Sequence, residues 1–579
     1  MNVSMNKRAV VSALEEIAAC LELKGEDQFR VRAYQSAARA VGAHTGDVHA
    51  ALQTGELAEL KGVGSATLDV IVEVLETGTS RMLEDLRDQV PPGLVEMLQI
   101  AGLGVAKIRQ IHDTLHVDTL EELESAARDG RLSRLPRFGP KTAEKVLKSI
   151  QYLRQAKEYR LLHHARQEAQ ALRDVLAALP GVRRADVAGS LRRAREAIRD
   201  LDFVLELEGS PDALVDRLGH TEGVREFVNR TDRTMTLRFA SGTVADLYWA
   251  DPGQFGFQLV HATGSDEHLA RLGARARALG LEWRETGLHR DGALLPAETE
   301  AAVYAALAMQ SVPPELREGR GEVEAAVAGT LPELITQADV RGFLHCHSEY
   351  SDGGSTIREW ADACRVLGYS YLGITDHSEA MAYSGGLTAD RVPAQHADID
   401  RVNADYRDFR VLKGVEADIL ENGSLDYTPA VRDAFDFIIA SVHTRHGMSA
   451  KVMTKRILRA MDDPTMTILG HPTGRLLLSR EPFPVDLDAV FAKAADVGVA
   501  IEINADPQRM DLDWRFVRDA TDAGVTISIG ADAHSVAGVA NLELGVAMAR
   551  KGWLTKDDVL NARPLEGFLE HVEARKSRA

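Results

Sequence analysis

Gly342-Phe-Leu-His345-Cys-His347 is a short apolar run that ends in two metal-capable histidines, and its pattern recurs along the C-terminal half of the chain. The later runs are Tyr371-Leu-Gly-Ile-Thr-Asp-His377, Val411-Leu-Lys-Gly-Val-Glu416, Phe437-Ile-Ile-Ala-Ser-Val-His443, Thr467-Ile-Leu-Gly-His471-Pro, Val499-Ala-Ile-Glu-Ile-Asn504 and Thr526-Ile-Ser-Ile-Gly-Ala-Asp532-Ala-His534. Seven such runs, separated by helical stretches, predict parallel strands that close into a (β/α) barrel. Barrels of this kind carry their chemistry at the C-terminal ends of the strands, where nearly every run here ends in His, Asp or Glu. His345, His347, Asp352, His377, Glu416, His443, His471, Asp532 and His534 are the candidate ligands for two or three divalent ions, with a carboxylate bridging and water completing open positions. Such ions lower the pKa of bound water and neutralise charge that develops at phosphorus. One strand-end histidine is more often structural, but nine candidates at matching positions are not independent accidents.

Upstream, Asp186-Val-Ala, Leu201-Asp-Phe-Val-Leu-Glu-Leu, Thr234-Met-Thr-Leu-Arg-Phe and Thr243-Val-Ala-Asp-Leu-Tyr-Trp alternate apolar and polar residues as half-buried strands do, so a small mixed sheet is expected. Alternation places Asp200 and Asp202 on one face, and Asp246 lies in a neighbouring strand where it can join them. Three hard oxygen ligands suit two magnesium or manganese ions about 3.5 to 4 Å apart, an arrangement that stabilises both oxygens of a phosphoryl transfer. The turn Gly189-Ser190 and the fork of Arg193 would hold a triphosphate. Solvent-facing aspartates on an open sheet would explain Asp-x-Asp alone, but not the Gly-Ser turn and basic run ahead of it.

Residues 1 to about 150 read as almost entirely helical. Leu60-Lys-Gly62-Val-Gly64-Ser-Ala, Ile100-Ala-Gly102-Leu-Gly104-Val-Ala-Lys107 and Leu135-Pro-Arg-Phe-Gly139-Pro-Lys141-Thr-Ala each open a glycine-bearing hairpin into an amphipathic helix. Backbone N–H groups beside a helix N-terminus can hold a phosphate oxygen without reading a base. Gly62, Gly64, Gly102, Gly104, Lys107, Gly139 and Lys141 are therefore DNA-binding candidates, with Phe138 standing where the third copy lacks its first glycine. Ordinary glycine-capped helix turns are the plainer alternative for any single copy.

A chain of 579 residues is long enough for roughly three to five domains. Hydrophobic residues at 45% and charged residues at 27% exclude a disordered, collagenous or membrane-dominated protein. Net charge of −19 argues against nucleic-acid binding through bulk charge, so phosphate contacts are expected to be local and salt-dependent. Cys20, Cys346 and Cys364 are too few and too scattered for a disulfide scaffold or a zinc ribbon. With no signal-peptide pattern and no long apolar run, the expected place is a reducing cytosol, away from membranes.

The order Gly-Ser, Arg-Arg, Asp-x-Asp and a later Asp resembles the nucleotidyltransferase superfamily, and specifically the family X DNA polymerases. That resemblance runs from residue 1 to about 325 and includes Phe29-Arg-Val-Arg-Ala-Tyr, Ala262-Thr-Gly264-Ser265 and Val312-Pro-Pro-Glu-Leu-Arg317. Residues 341 to about 575 resemble the polymerase and histidinol phosphatase (PHP) family, whose motifs HxH…D, TDH, E, H, GHP and DAH appear in order. Together the halves are similar to bacterial family X polymerases with a C-terminal PHP domain. The resemblance implies a multidomain α+β and α/β fold: a helical DNA-binding domain over 1–88, fingers with helix-hairpin-helix motifs over 89–155, a nucleotidyltransferase palm over 156–252, a thumb over 253–325, a linker over 326–340 and a distorted (β/α)7 PHP barrel over 341–579.

It further implies catalysis by Asp200, Asp202 and Asp246 with manganese or magnesium, and nucleotide contacts from Gly189, Ser190, Arg193, Gly264 and Ser265. In the barrel it implies up to three zinc or manganese ions: His345, His347, Glu416 and Asp532 in one subsite, Glu416, His443 and His471 in a second, and Asp352, His377 and His534 in a third. The expected activity is DNA-repair synthesis from deoxynucleoside triphosphates at gapped or nicked DNA, with a manganese-dependent 3′–5′ exonuclease in the barrel. Abasic-site incision and 3′-phosphate removal are further reactions open to the same barrel. Departures from the pattern are Arg199 beside Asp200 where glycine is usual, His261-Ala262 in place of an aromatic pair, and Leu269 in place of a nucleotide-contacting Asn. Val70 replaces a Schiff-base lysine, so no lyase chemistry is expected there. These departures keep two alternatives open: a PHP phosphoesterase or DNA-end nuclease with a degenerate polymerase module, and a non-catalytic DNA-end scaffold.

Overall fold

A computed structural model describes residues 3–43, 48–100, 103–209, 211–218, 224–239, 242–381 and 384–577. The chain divides into two compact units, Met1–Glu158 and Tyr159–Ala579. In the first unit the long helix Val3–Lys24 buries Val10, Leu14, Ile17 and Leu21, a single stripe at helical spacing, against Gln28–Ala43 and Ser65–Thr77. A later helix, Leu120–Arg128, starts where Thr119 Oγ1 accepts the Glu122 N–H at 3.1 Å and the Glu122 carboxylate accepts the Thr119 N–H at 3.1 Å. That reciprocal cap satisfies two donors that the first helical turn would otherwise leave unpaired. Among the described residues this unit contains no strand.

The second unit holds a five-stranded sheet and a closed barrel. The sheet strands are β1 (Val182–Val187), β2 (Leu201–Leu207), β3 (Val224–Arg230), β4 (Thr234–Phe239) and β5 (Val244–Ala250), in the order β1-β2-β5-β4-β3. Only β2 and β5 run parallel. The strand β2 is buried along nearly its whole length, and its apolar residues are interrupted by two acids, Asp202 and Glu206. Strand β3 escapes sequence reading because it is an edge: six of its seven residues are exposed and nothing apolar alternates strongly.

The barrel strands are β6 (Gly342–Cys346), β7 (Tyr371–Ile374), β8 (Arg410–Asp418), β9 (Phe437–Ser441), β10 (Met466–Leu469), β11 (Ala500–Asn504) and β12 (Ile527–Ala533). All neighbours are parallel and β12 closes on β6. Residues 326–340 do not dangle as a tether: Leu334, Ile335 and Val340 are buried, and the Ile335 N–H donates to the Leu554 carbonyl at 2.9 Å.

A polar seam joins sheet and barrel within this unit. Trp514 Nε1 donates to Glu196 at 3.1 Å and Arg515 donates to the same carboxylate at 2.7 Å. On the sheet side, Glu300 receives a two-pronged contact from Arg192 at 2.6 and 2.8 Å and a third bond from Arg317 at 2.6 Å. Burial opposes ionisation of Glu300, yet the two arginines pull it down to about 2. A carboxyl held below its unfolded value stabilises the fold fully above that value, about 4.3, and the contribution is lost as pH falls toward 2. Glu300→Gln is expected to cost about 3 kcal/mol at neutral pH. The gap from the parent in urea midpoint should narrow as pH drops from 5 to about 3; a gap independent of pH would contradict the assignment.

Candidate active sites

In the first hairpin Gly62 takes φ +109°, and a Cβ there would stand 3.1 Å from the Ser36 carbonyl, so both backbone angle and space favour glycine. Gly64 caps the helix Ser65–Thr77, but its N–H is bonded to Thr67 Oγ1 at 2.9 Å, so that donor is already engaged. Gly104 and Gly139 directly precede Val105–Leu115 and Pro140–Glu158. Lys141 is exposed, and Lys107 lies 5.8 Å from the centre of the Phe138 ring. Gly102 lies outside the described residues. The third copy corrects the reading at Phe138: the left-handed position of Gly62 is taken by Arg137, at φ +69°, while Phe138 matches Val63 and is buried. The side chain of the turn's middle residue packs inward, and the strained residue is the one before it.

The parallel pairing of β2 with β5 sets Asp202 directly opposite Asp246. Asp200 sits in the bend before β2 rather than within it, and its carboxylate accepts from Arg199 at 3.2 Å. Burial, then the charges of Asp200 and Asp246, push Asp202 up to about 7, and burial also raises Asp246. Tyr248 donates to Asp202 at 3.3 Å and Thr236 donates to Asp246 at 2.5 Å, leaving three carboxylates that repel one another. A hard divalent cation is what relieves such a donor set.

Gly189 begins the short helix Gly189–Arg192 at φ +63°, and a Cβ there would fall 1.7 Å from the Asp202 carboxylate. Gly189→Ala is therefore expected to lower nucleotide addition by about two orders of magnitude through a displaced Asp202 while the barrel reaction stays intact. Equal primer extension by parent and variant would refute that placement.

Arg193 donates from Nε to Glu318 at 3.0 Å and from a terminal nitrogen to the Thr263 carbonyl at 2.7 Å. Ser190 is half-buried beside it. Gly264 follows the helix Phe255–Thr263, with the Leu269 side chain only 2.9 Å from where its Cβ would be. Ser265 caps the next helix, Asp266–Ala278, by accepting the His268 N–H at 3.2 Å. Of the departures, Arg199 pairs with Asp200, and His261 stacks 6.0 Å from Phe257. Val70 is buried in Ser65–Thr77.

In the barrel the nine candidate ligands converge. Glu416 is fully buried, with His471 Nε2 at 2.9 Å, His443 Nε2 at 3.1 Å, His377 Nδ1 at 2.8 Å and His345 Nε2 at 3.4 Å from its oxygens. His347 Nε2 lies 3.2 Å from Asp532, and Asp352 stands 3.6 Å from His377 and 3.5 Å from His534. Three groups have ligand atoms close enough to share an ion: His345, His347 and Asp532; His377, Glu416 and His443; and His347, Asp352, His377 and His534. His347 and His377 each belong to two groups, so the clusters adjoin. Nε2 of His345 and of His443 and Oε2 of Glu416 are buried beside opposite charge yet make no hydrogen bond of acceptable geometry. Donor atoms aimed at common space rather than at each other fit divalent ions. His345, His471 and Asp532 all have positive φ, at 60°, 24° and 48°, strain concentrated where ligands must be aimed inward.

Four further side chains orient these ligands and were not singled out from sequence. Glu502 accepts from His345 Nδ1 at 2.5 Å and from the His471 N–H at 2.7 Å. Asp418 lies 3.3 Å from His443 Nδ1, Asn504 donates to Asp532 at 3.0 Å, and Arg509 Nε lies 3.2 Å from Asp532. Partners of this kind fix ring tautomer and direction. The available signal was an acid inside an apolar strand, as at Glu502, where burial of a charge demands a partner. Asp376 of the TDH motif belongs to none of these groups; it accepts from the Ser348 N–H at 2.7 Å and from Ser348, Ser351 and Gln395 side chains, each at 2.6 Å, tying down the loop after His347. Arg445, two residues after His443, pairs with Glu421 at 3.4 Å on the surface.

A carboxylate-bearing nucleotidyltransferase sheet and a histidine-carboxylate phosphoesterase barrel on one chain define a two-site enzyme of nucleic-acid phosphoryl chemistry. Known families match four stretches: a helix-hairpin-helix domain residues 5–80, a SAM-like helix-hairpin-helix tandem 94–151, the DNA polymerase beta thumb 258–318 and the PHP domain 344–506. The DNA polymerase/3′–5′ exonuclease PolX of Bacillus subtilis is 36% identical over 98% of this chain and 100% of its own length. A probable phosphatase of Clostridium acetobutylicum is 30% identical over 40% of this chain and 94% of its own, and one from a Thermoanaerobacter species 28% over 36% and 84%. The chain belongs to the PolX family of DNA polymerase/3′–5′ exonucleases.

Proposed function

We propose that the protein fills short gaps in DNA with its five-stranded sheet and trims 3′ ends with its barrel, in the bacterial cytosol. The observation that carries this reading is the in-register pair Asp202 and Asp246 in the same compact unit as the converging barrel ligands. Asp200, Asp202 and Asp246 would hold magnesium or manganese, and Ser190, Arg193 and Gly264 would cradle the triphosphate. The barrel residues named above would hold zinc or manganese, in up to three sites. Divalent ions bound there supply electrostatic stabilisation of charge developing on phosphate oxygens. The chain's own work is to orient: Tyr248 and Thr236 hold the sheet carboxylates, and Glu502 and Asp418 aim His345 and His443. The hairpin turns at Gly62, Gly104 and Gly139, with Lys107 and Lys141 beside them, would grip the DNA backbone without sequence preference. No helix among the described residues is long and apolar enough to cross a membrane.

The deciding experiment is a time course on an end-labelled one-nucleotide-gapped duplex with manganese, with and without deoxynucleoside triphosphates. Extension with nucleotides and shortening without them is the expected result, both abolished by EDTA. Shortening without extension would favour the DNA-end nuclease reading, for which the Arg199–Asp200 ion pair and the Leu269 side chain against Gly264 are the supporting observations. Neither reaction would overturn both readings.

A further inference from the structure

Arg193 stands where four segments of the second unit meet. Its guanidinium is held by Glu318 and the Thr263 carbonyl. Glu318 is itself almost buried and accepts from Arg195 at 3.3 Å and from Lys551 Nζ at 2.5 Å. Lys551 ends the helix Leu542–Lys551, which follows the last barrel strand, and none of its side chain reaches solvent. Its ammonium has three acceptors: Glu318, the Arg193 carbonyl at 2.9 Å and the Glu315 carbonyl at 3.3 Å. An ammonium offers three donors, so this one is satisfied. The Trp514 ring lies 4.3 Å from the same nitrogen.

The barrel half therefore grips Arg193 twice, through its main-chain carbonyl and, by way of Glu318, through its side chain. Docking alone does not require a charge here, because a well-packed apolar side chain usually serves a buried seam as well as an ion pair does. Burial draws Lys551 down to about 8 against the pull of Glu318, a desolvation cost that an interface of pure packing would avoid. Lys551 touches none of the barrel ligands by any hydrogen bond or ion pair described, and all three of its acceptors belong to the polymerase side.

We infer that Lys551 is a positioning residue for nucleotide addition: through Glu318 and the Arg193 carbonyl it sets the Arg193 guanidinium for the triphosphate, so that the PHP half tunes the nucleotide affinity of the polymerase half. The inference rests on the reading of Arg193 as a triphosphate ligand.

The test uses the full-length chain with manganese on gapped DNA. It measures KM and kcat for the incoming nucleotide, and the rate of 3′-end shortening without nucleotides, in Arg193→Ala, Lys551→Met, Glu318→Gln and the double variants Arg193→Ala/Lys551→Met and Arg193→Ala/Glu318→Gln. Lys551→Met is expected to raise the nucleotide KM about ten-fold, with kcat and shortening within about two-fold of the parent. Arg193→Ala should raise KM at least as much, and adding Lys551→Met to it should raise KM no further. Unchanged KM in Lys551→Met beside a raised KM in Arg193→Ala overturns the inference and leaves the Arg193 reading intact. Unchanged KM in Arg193→Ala overturns the reading beneath it. An additive increase in the double variant would make Lys551 a general structural residue and overturn its positioning role. Should Lys551→Met fail to fold, the shape-preserving Glu318→Gln is read instead: a raised KM, lost in the Arg193→Ala background, supports the relay. A lowered KM would mean that Glu318 restrains Arg193, and would overturn it.

Discussion

Asp202→Ala is expected to reduce nucleotide addition by at least about three orders of magnitude while 3′-end shortening continues at the parent rate. The asymmetry follows from position. Asp202 faces Asp246 across the one parallel pair of the sheet and is nine-tenths buried, so no other side chain can take over its place between Asp200 and Asp246. It makes no bond to the barrel; its side-chain donor is Tyr248. Removing this carboxylate should also leave the ion-free fold no less stable, because the burial cost that chiefly drives its pKa up, and the repulsion from Asp200 and Asp246, disappear with it. A primer-extension assay beside a denaturation curve separates these effects. Residual extension above about a tenth of the parent would show that Asp246 and Asp200 suffice, against the three-carboxylate assignment.

Glu416→Ala should give the converse result: loss of 3′-end shortening by about three orders of magnitude or more with gap filling preserved. Its carboxylate is the common neighbour of His345, His377, His443 and His471, so its removal takes a shared carboxylate away from four histidines at once. The second readout is thermal. If ions bind the native barrel and not the unfolded chain, manganese raises the melting temperature of the parent in proportion to RT ln(1 + [L]/Kd), and Glu416→Ala should lose most of that increment. In EDTA the two should melt more nearly alike. An undiminished manganese increment in Glu416→Ala would mean that the stabilising ions bind elsewhere.

The barrel was legible because strand-end chemistry is local. In Phe437–His443 or Thr467–His471 the apolar run and its terminal ligand lie within one stretch of chain, and a parallel barrel places all such ends on one rim. Asp202 and Asp246 were legible for the same reason, each an acid within its own apolar strand. The edge strand β3 was not, since its exposed residues carry no alternation, and the left-handed turn at Arg137 was misplaced by one residue because an arginine there gives no sign of positive φ.

Periodicity and residue type are properties of short segments, so the strands and the acids and histidines at their ends can be read from the chain alone. Which distant groups contact those residues is set by the packing of the whole fold. Glu502 reaches His345 across 157 positions, and Lys551 reaches the Arg193 carbonyl across 358. Neither pairing leaves a trace in local pattern, since a buried charge declares that it needs a partner but not which distant segment the fold will bring to it.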